Sequence, residues 1–259
     1  MTNEKNKNII FGVNPVLERF RASTDDIQEV LISEAAGRNV LRAIKSEALQ
    51  RGVRVVPIAP RFLDRLVGSR RHQGVVVRVK PFAHLDFDDL LPELSRAGAT
   101  QRVLLLDGLT DPRNFGALLR TAEAVGIRHV VIPKDRAADV TPLVIKASSG
   151  AALHLRIAKV TNLRRAILAL KAIGYWSAGL DPESTETIYD RSYPSRLAIV
   201  LGSEGRGIRP GILKECDFTA SIPMLGKVAS LNVAVAGAVF FYELLRQARA
   251  VDNEVPKSY

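Results

Sequence analysis

Arg102-Val-Leu-Leu-Leu-Asp-Gly-Leu-Thr-Asp-Pro-Arg-Asn-Phe-Gly-Ala-Leu-Leu-Arg-Thr-Ala-Glu-Ala-Val-Gly126 is the stretch from which the fold can be read. Its opening, Arg102–Asp107, is a continuous apolar run bounded by charge, which predicts a strand buried on both faces. A polar turn follows, and Asn114 stands where a helix N-cap belongs. Leu118, Leu119, Ala122 and Val125 then recur at helical spacing, and Gly126 ends the helix. A buried strand that turns into an amphipathic helix is the repeating unit of an α/β fold.

The same alternation extends in both directions. Downstream, His129–Ile132, Leu153–Ile157, Tyr175–Leu180, Leu197–Leu201 and the short Phe218–Ile222 read as strands. Leu163–Ile173 and the long Ser230–Ala248 read as helices. Together they predict a mainly parallel sheet. Upstream, strands at Val30–Ser33, Val53–Ile58 and Val75–Val79 alternate with helices at Ala35–Arg51 and Arg61–Val67, a compact unit of its own. Residues 1–8 read as frayed. Residues 81–100, with Pro81, an acidic cluster at Asp86, Asp88 and Asp89, Pro92 and Gly98, read as a linker carrying one short helix. The expected division is an N-terminal domain at 1–80, a linker at 81–100 and a C-terminal domain at 101–259.

The chain has 259 residues, 47% of them apolar and 25% charged, which suits a globular protein of one or two domains. A single cysteine, Cys216, excludes an internal disulfide and a cysteine zinc cluster. His72, His84, His129 and His154 have no metal-ligand spacing, so no metal is expected. The polar start lacks a signal-peptide core, and the longest charge-free run, Val228–Tyr242, is shorter than the roughly 20 residues a membrane span needs. A cytoplasmic protein with no membrane contact is the expectation. The net charge is +10, and residues 1–80 carry 15 basic and 8 acidic side chains, a net +7. That surface suits a polyanion such as nucleic acid. With only Phe11, Phe20 and Phe62 as aromatics there, phosphate and shape contacts to structured RNA fit better than base stacking.

Three turns sit at the C-terminal ends of expected strands, the edge where α/β sheets bind ligands. They are Asp107–Asn114, Gly202–Gly207 and Pro223–Asn232. Gly205 and Gly207 lack the third glycine of a dinucleotide fingerprint, because position 210 is proline. Gly202 and Gly207 have P-loop spacing, but Ile208 and Arg209 replace its Lys and Ser/Thr. Singly, the polar residues of these turns have plain readings. Arg120 points away from its helix's apolar stripe, either as a solvated charge or as a site residue over the strand ends. Asn114 and Ser230 suit helix caps, Glu204 a tight turn, and Asn232 a structural amide.

Taken together, Asp111-Pro-Arg-Asn-Phe-Gly-Ala-Leu-Leu-Arg120, Leu201-Gly-Ser-Glu-Gly205 and Ser230-Leu-Asn232 resemble the three motifs of the SpoU (TrmH) family of RNA ribose methyltransferases. Phe11-Gly-Val-Asn-Pro15, His72-Gln-Gly74, Val160-Thr-Asn-Leu163 and Cys216-Asp217 before Ser221-Ile-Pro-Met224 are similar to its RlmB-type subgroup, the bacterial 23S rRNA guanosine 2′-O-methyltransferases. The resemblance implies a SPOUT-type catalytic domain with a deep trefoil knot, preceded by a small α/β RNA-binding domain resembling a ribosomal-protein fold. It implies S-adenosylmethionine as methyl donor, with cofactor contacts around Gly202, Ile222 and Leu231. It implies catalytic roles for Asn114, Arg120, Glu204, Ser230 and Asn232, with Asn114, Asn232 and Glu204 orienting Arg120. A guanidinium is a reluctant base, so Arg120 is better suited to binding the adjacent phosphate and stabilising an incipient alkoxide.

The implied partner is 23S rRNA or a ribosome-assembly intermediate. The same reaction on tRNA or another 23S site, and a catalytically silent assembly factor, are the alternatives. The family works as a homodimer through the terminal helix. Here Val228–Tyr242 has no charge on any face, which predicts a helix buried all round, by a second copy or by the chain's own core.

Overall fold

In the computed structural model, residues 8–22, 27–96, 101–228 and 230–254 are described. The expected frayed start at residues 1–8 lies almost wholly outside them. Contacts divide the chain into two compact units, one running to Ala83 and including Asp139–His154, the other formed by His84–Ala138 and the chain from Leu155 onward.

The first unit is a four-stranded sheet. Its elements are β1 (Ile9–Phe11), α1 (Val13–Ala22), β2 (Ile27–Ser33), α2 (Arg38–Gln50), β3 (Val55–Ile58), α3 (Pro60–Val67) and β4 (Val75–Val79). The strand order is β1-β4-β2-β3, with β2 parallel to β3 and antiparallel to β4, and β1 antiparallel to β4. Both faces of β4 are covered, which explains its unbroken valines. Val76 packs with Ile9, Leu31 and Leu63, while Val75 and Val77 are buried on the opposite face. Sequence reading missed β1 and α1. The strand has three residues, and α1 starts after a glycine instead of a capping side chain: the N–H of Val13 donates to Gln73 Oε1 at 2.8 Å.

The second unit opens with β5 (Leu85–Asp86) and α4 (Phe87–Arg96), within the expected linker. Phe87, Leu90 and Leu94 are buried in this unit's core, so residues 85–96 are part of the fold. There follow β6 (Gln101–Asp107), α5 (Pro112–Ala124), β7 (His129–Pro133), α6 (Pro142–Ala147, in the first unit), β8 (Arg156–Val160), α7 (Leu163–Ala172), β9 (Trp176–Leu180), β10 (Arg196–Gly202), α8 (Pro210–Leu213), β11 (Phe218–Ala220) and α9 (Val233–Glu254). The sheet order is β11-β9-β10-β6-β7-β8-β5, and every pair is parallel. The expected strand at Leu153–Ile157 is displaced. Ala151–His154 forms a 3-10 turn, held by Ser148 Oγ, which accepts the N–H of Ala152 at 3.2 Å.

One face of this sheet packs Val103, Leu105, Ala198 and Val200 against α4, α7 and α8. The other carries Leu201, whose side chain meets α5 and α9 at Gly237. A Cβ on Gly237 would stand 2.4 Å from Leu118 Cδ2 and 2.9 Å from Leu201 Cδ1, so α9 reaches α5 and β10 only because this residue has no side chain. Within the single chain the charge-free terminal helix is buried on one side. Phe240, Phe241 and Leu244 are buried, but Val235 and Tyr242, seven residues apart on one face, are 49% and 54% exposed. The helix covers the chain's own core with one side only.

Gly237→Val overfills this contact and is expected to lower stability by about 2 kcal/mol. Urea denaturation at 25 °C checks this; an unchanged midpoint would mean that α9 does not lie this close to Leu118.

Candidate active site

Parallel pairing sets the position of the site. Gly202, the last residue of β10, is in register with Asp107, the last residue of β6, so the turns leaving these strands start side by side. A Cβ on Gly202 would lie 2.0 Å from the carbonyl carbon of Gly207 and 2.2 Å from the nitrogen of Ile208. Only glycine lets the 203–207 loop fold back across the strand end. Ser203 and Gly207 close that loop by exchanging backbone hydrogen bonds of 3.1 and 3.0 Å. Arg209 beyond it binds the buried Asp107 carboxylate, which holds the guanidinium above its ordinary pKa.

The third segment arrives at the start of α9. Asn232 Oδ1 accepts the N–H groups of Ala234 at 2.9 Å and Val235 at 3.4 Å, so Asn232 is the helix cap. Its Nδ2 donates to Asn114 Oδ1 at 3.0 Å and to Glu204 Oε1 at 2.5 Å. The amide orientation follows from the network, since the oxygen faces donors and the nitrogen faces acceptors. Two expected caps are thereby corrected. Asp111, not Asn114, caps α5, accepting the N–H of Arg113 at 2.8 Å, and Asn114 is free to meet Asn232 from the first helical turn. Ser230 precedes the helix and lines a cavity instead.

That cavity has a volume of about 370 Å³, within the ordinary range for small-molecule sites. Gly202, Ile222 and Leu231 all line it, together with Leu201, Ser203, Glu204, Met224 and Val233. Glu183 also lines it, which sequence reading missed because it follows a strand outside the three motifs. Two larger hollows, of about 610 and 630 Å³, contain no residue of the three turns.

Arg120 stands apart from this network. It is exposed on α5, about 9 Å along the axis and roughly 120° around from Asn114. Glu204 holds Asn232 and not the arginine, contrary to the expected arrangement. Arg113 lies seven residues earlier, on nearly the same exposed face of the helix, so α5 presents two guanidinium groups outward. Cys216 offers no nucleophile, because burial pushes its thiol up to about 12. Among the described residues no group of three or more His, Cys, Asp or Glu side chains could hold a metal ion.

Residues 101–242 match the SpoU rRNA Methylase family, and residues 9–85 match the family described as RNA 2′-O ribose methyltransferase substrate binding. The chain is 36% identical over 249 residues to a 23S rRNA (guanosine-2′-O-)-methyltransferase RlmB of Xylella fastidiosa, covering 96% of this chain and 100% of that one. It is 37% identical over 245 residues to a protein of Staphylococcus haemolyticus named for the TrmH family of tRNA/rRNA methyltransferases, covering 95% and 98%. Among solved structures, the SpoU methyltransferase AviRb of Streptomyces viridochromogenes in complex with AdoMet superposes with a TM-score of 0.76 at 25% identity, over 93% of this chain and 90% of that one. A TrmH-family structure from Porphyromonas gingivalis gives 0.74 at 28% identity, over 93% and 90%.

Asn232→Asp keeps the helix cap but turns an oxygen toward Glu204. Two facing carboxylates raise one folded-state pKa. Because both side chains are exposed to solvent, the variant is expected to be about 1 kcal/mol less stable than wild type at pH 7. The gap should narrow toward pH 5, because a carboxyl with a raised folded pKa gains folded-state protons as pH falls through that value. Urea midpoints at both pH values check this; a gap independent of pH would contradict the contact.

Proposed function

The chain belongs to the SpoU rRNA methylase family, and we propose that it methylates the ribose 2′-oxygen of a guanosine in 23S rRNA, with S-adenosylmethionine as donor. The observation that carries this reading is the convergence of Asn114, Glu204 and Asn232 through one side-chain amide, beside a cavity lined by Gly202, Ile222 and Leu231.

The lining suits the donor. Leu201, Ile222, Met224 and Leu231 offer apolar walls to a flat base, while Ser203, Ser230 and loop backbone offer polar contacts to a sugar and an amino acid. Gly202 lets the backbone form the cradle. When bound, S-adenosylmethionine supplies a methyl group activated by a sulfonium, so no nucleophilic side chain is required. The protein has two tasks: to fix the ribose hydroxyl in line with the methyl carbon, and to stabilise negative charge as its proton leaves. Arg120 is permanently cationic and exposed, which suits it to the neighbouring phosphate and the developing alkoxide. Asn232 and Asn114 position the ribose side of the site, Glu204 fixes the loop through Asn232, and Ser230 orients loop or substrate.

The same reading gives residues 1–80 the task of gripping RNA and 101–259, apart from the first unit's Asp139–His154, the chemistry. The net +7 of the first segment and its match to a substrate-binding family support this. The family's trefoil knot is carried over on the same ground. The exposed face of α9, with Val235 and Tyr242, supports a homodimer in which a second copy covers it. No described helix is long and apolar enough to cross a membrane, and the proposed rRNA substrate supports a cytoplasmic location.

Mapping 2′-O-methyl groups on 23S rRNA and tRNA after incubation with protein and donor tests the reaction. One methylated 23S guanosine is expected; methylation of tRNA alone, or of a base atom, would overturn the assignment. Arg120→Ala is expected to lower turnover at least 100-fold while donor binding persists. Deleting residues 1–80 should keep donor binding and remove rRNA binding, measured by calorimetry and filter retention; full-rate methylation by the truncated chain would contradict the division of labour.

A further inference from the structure

The roles assigned above do not use the buried carboxylate of Asp107 in the second unit. The Asp107 side chain is fully buried, at 0% exposure, and its ionic partner Arg209 is 102 residues away in sequence. Oδ2 accepts the backbone N–H of Arg209 at 2.8 Å, and Oδ1 accepts Nε at 2.8 Å and Nη2 at 2.6 Å. A carboxylate in such a place is tolerated only with compensating donors, and here one residue supplies them through both backbone and side chain.

What this attachment fixes is the returning limb of the 203–207 loop. Gly207 and Ile208 pass directly over Gly202, and Gly207 closes the loop on Ser203. The outgoing limb carries Ser203 and Glu204, which line the cavity. Neither Asp107 nor Arg209 lines it. The loop is thus held at two points: Glu204 through Asn232, and Arg209 through Asp107.

We propose that Asp107 and Arg209 are positioning residues for the methyl donor, holding the 203–207 loop in its binding form without touching the ligand. This rests on the reading of the cavity as the donor site. The exposed position of the guanidinium, 63% accessible, lets water reach the carboxylate when the side chain is shortened, so the variant has a route to fold.

The test uses full-length wild type, Arg209→Ala and Arg209→Lys, titrated calorimetrically with S-adenosylmethionine, with amide hydrogen exchange measured in its absence. Arg209→Ala is expected to bind the donor about tenfold more weakly, as loss of a charge-assisted hydrogen bond implies. Its kcat at saturating donor should stay within about twofold, with KM for RNA unchanged. The amides of Ser203 and Gly207 should exchange faster, while those of Val103–Leu106 keep wild-type protection. Arg209→Lys, which keeps the charge and the backbone donor, should recover part of the affinity. Unchanged donor affinity or unchanged exchange at Ser203 and Gly207 in Arg209→Ala overturns the proposal. Loss of protection throughout β6 also overturns it, by making the pair a general support of the fold. Failure of the wild type itself to bind donor would overturn the reading of the cavity, and this inference with it.

Discussion

The side-chain amide of Asn232 is the contact on which the site depends. A carboxamide has two donor hydrogens and an acceptor oxygen, and here each is committed. The oxygen starts α9; the two hydrogens hold Asn114 and Glu204, which lie 118 and 28 residues away in sequence. The long separations matter because the ends of three chain segments must be ordered at once, against the conformational entropy of each. One planar group anchored by a helix start does this with fixed geometry. Serine could cap the helix but could not donate to two acceptors, and aspartate could not donate at all when ionised.

The sheet makes that contact possible. Parallel strands all deliver their turns to the same edge, and the register of Gly202 on Asp107 aligns the first and second motifs. Gly202 then admits the loop backbone where any side chain would clash, and α9 is brought close by Gly237. Positions without side chains thus set how tightly the elements carrying functional groups can approach. Arg120 lies outside this packed arrangement, exposed on α5, which fits the role proposed for it toward an anionic substrate.

Much of this was legible in the sequence, for identifiable reasons. Continuous apolar runs such as Val103–Leu106 mark strands buried on both faces, and glycine punctuation such as Gly126 marks helix ends, so the α/β order of the second unit could be read directly. Local signals failed where long-range partners decide. Asn114 has the residue type of a cap, but Asp111-Pro112 already starts the helix, and the real partner of Asn114 is on a distant loop. Ala151–Leu153 has apolar character, yet the Ser148 hydroxyl bends it into a turn. Asp107 reads as charge bounding a strand, because nothing nearby announces Arg209. The apolar length of α9 was plain, but whether its second side meets the same chain or another copy is not encoded in composition. In the single chain that side is open at Val235 and Tyr242.

On this reading, loops from distant parts of the chain form one donor pocket. Amide chemical-shift mapping during titration with S-adenosylmethionine tests it most directly. Saturable shifts are expected at Gly202, Ser203, Gly205 and Leu231, all of which line one cavity. Shifts concentrated at Ile32, Ser33 and Val55, which line a separate hollow in the first unit, or no saturable shift at all, would contradict it.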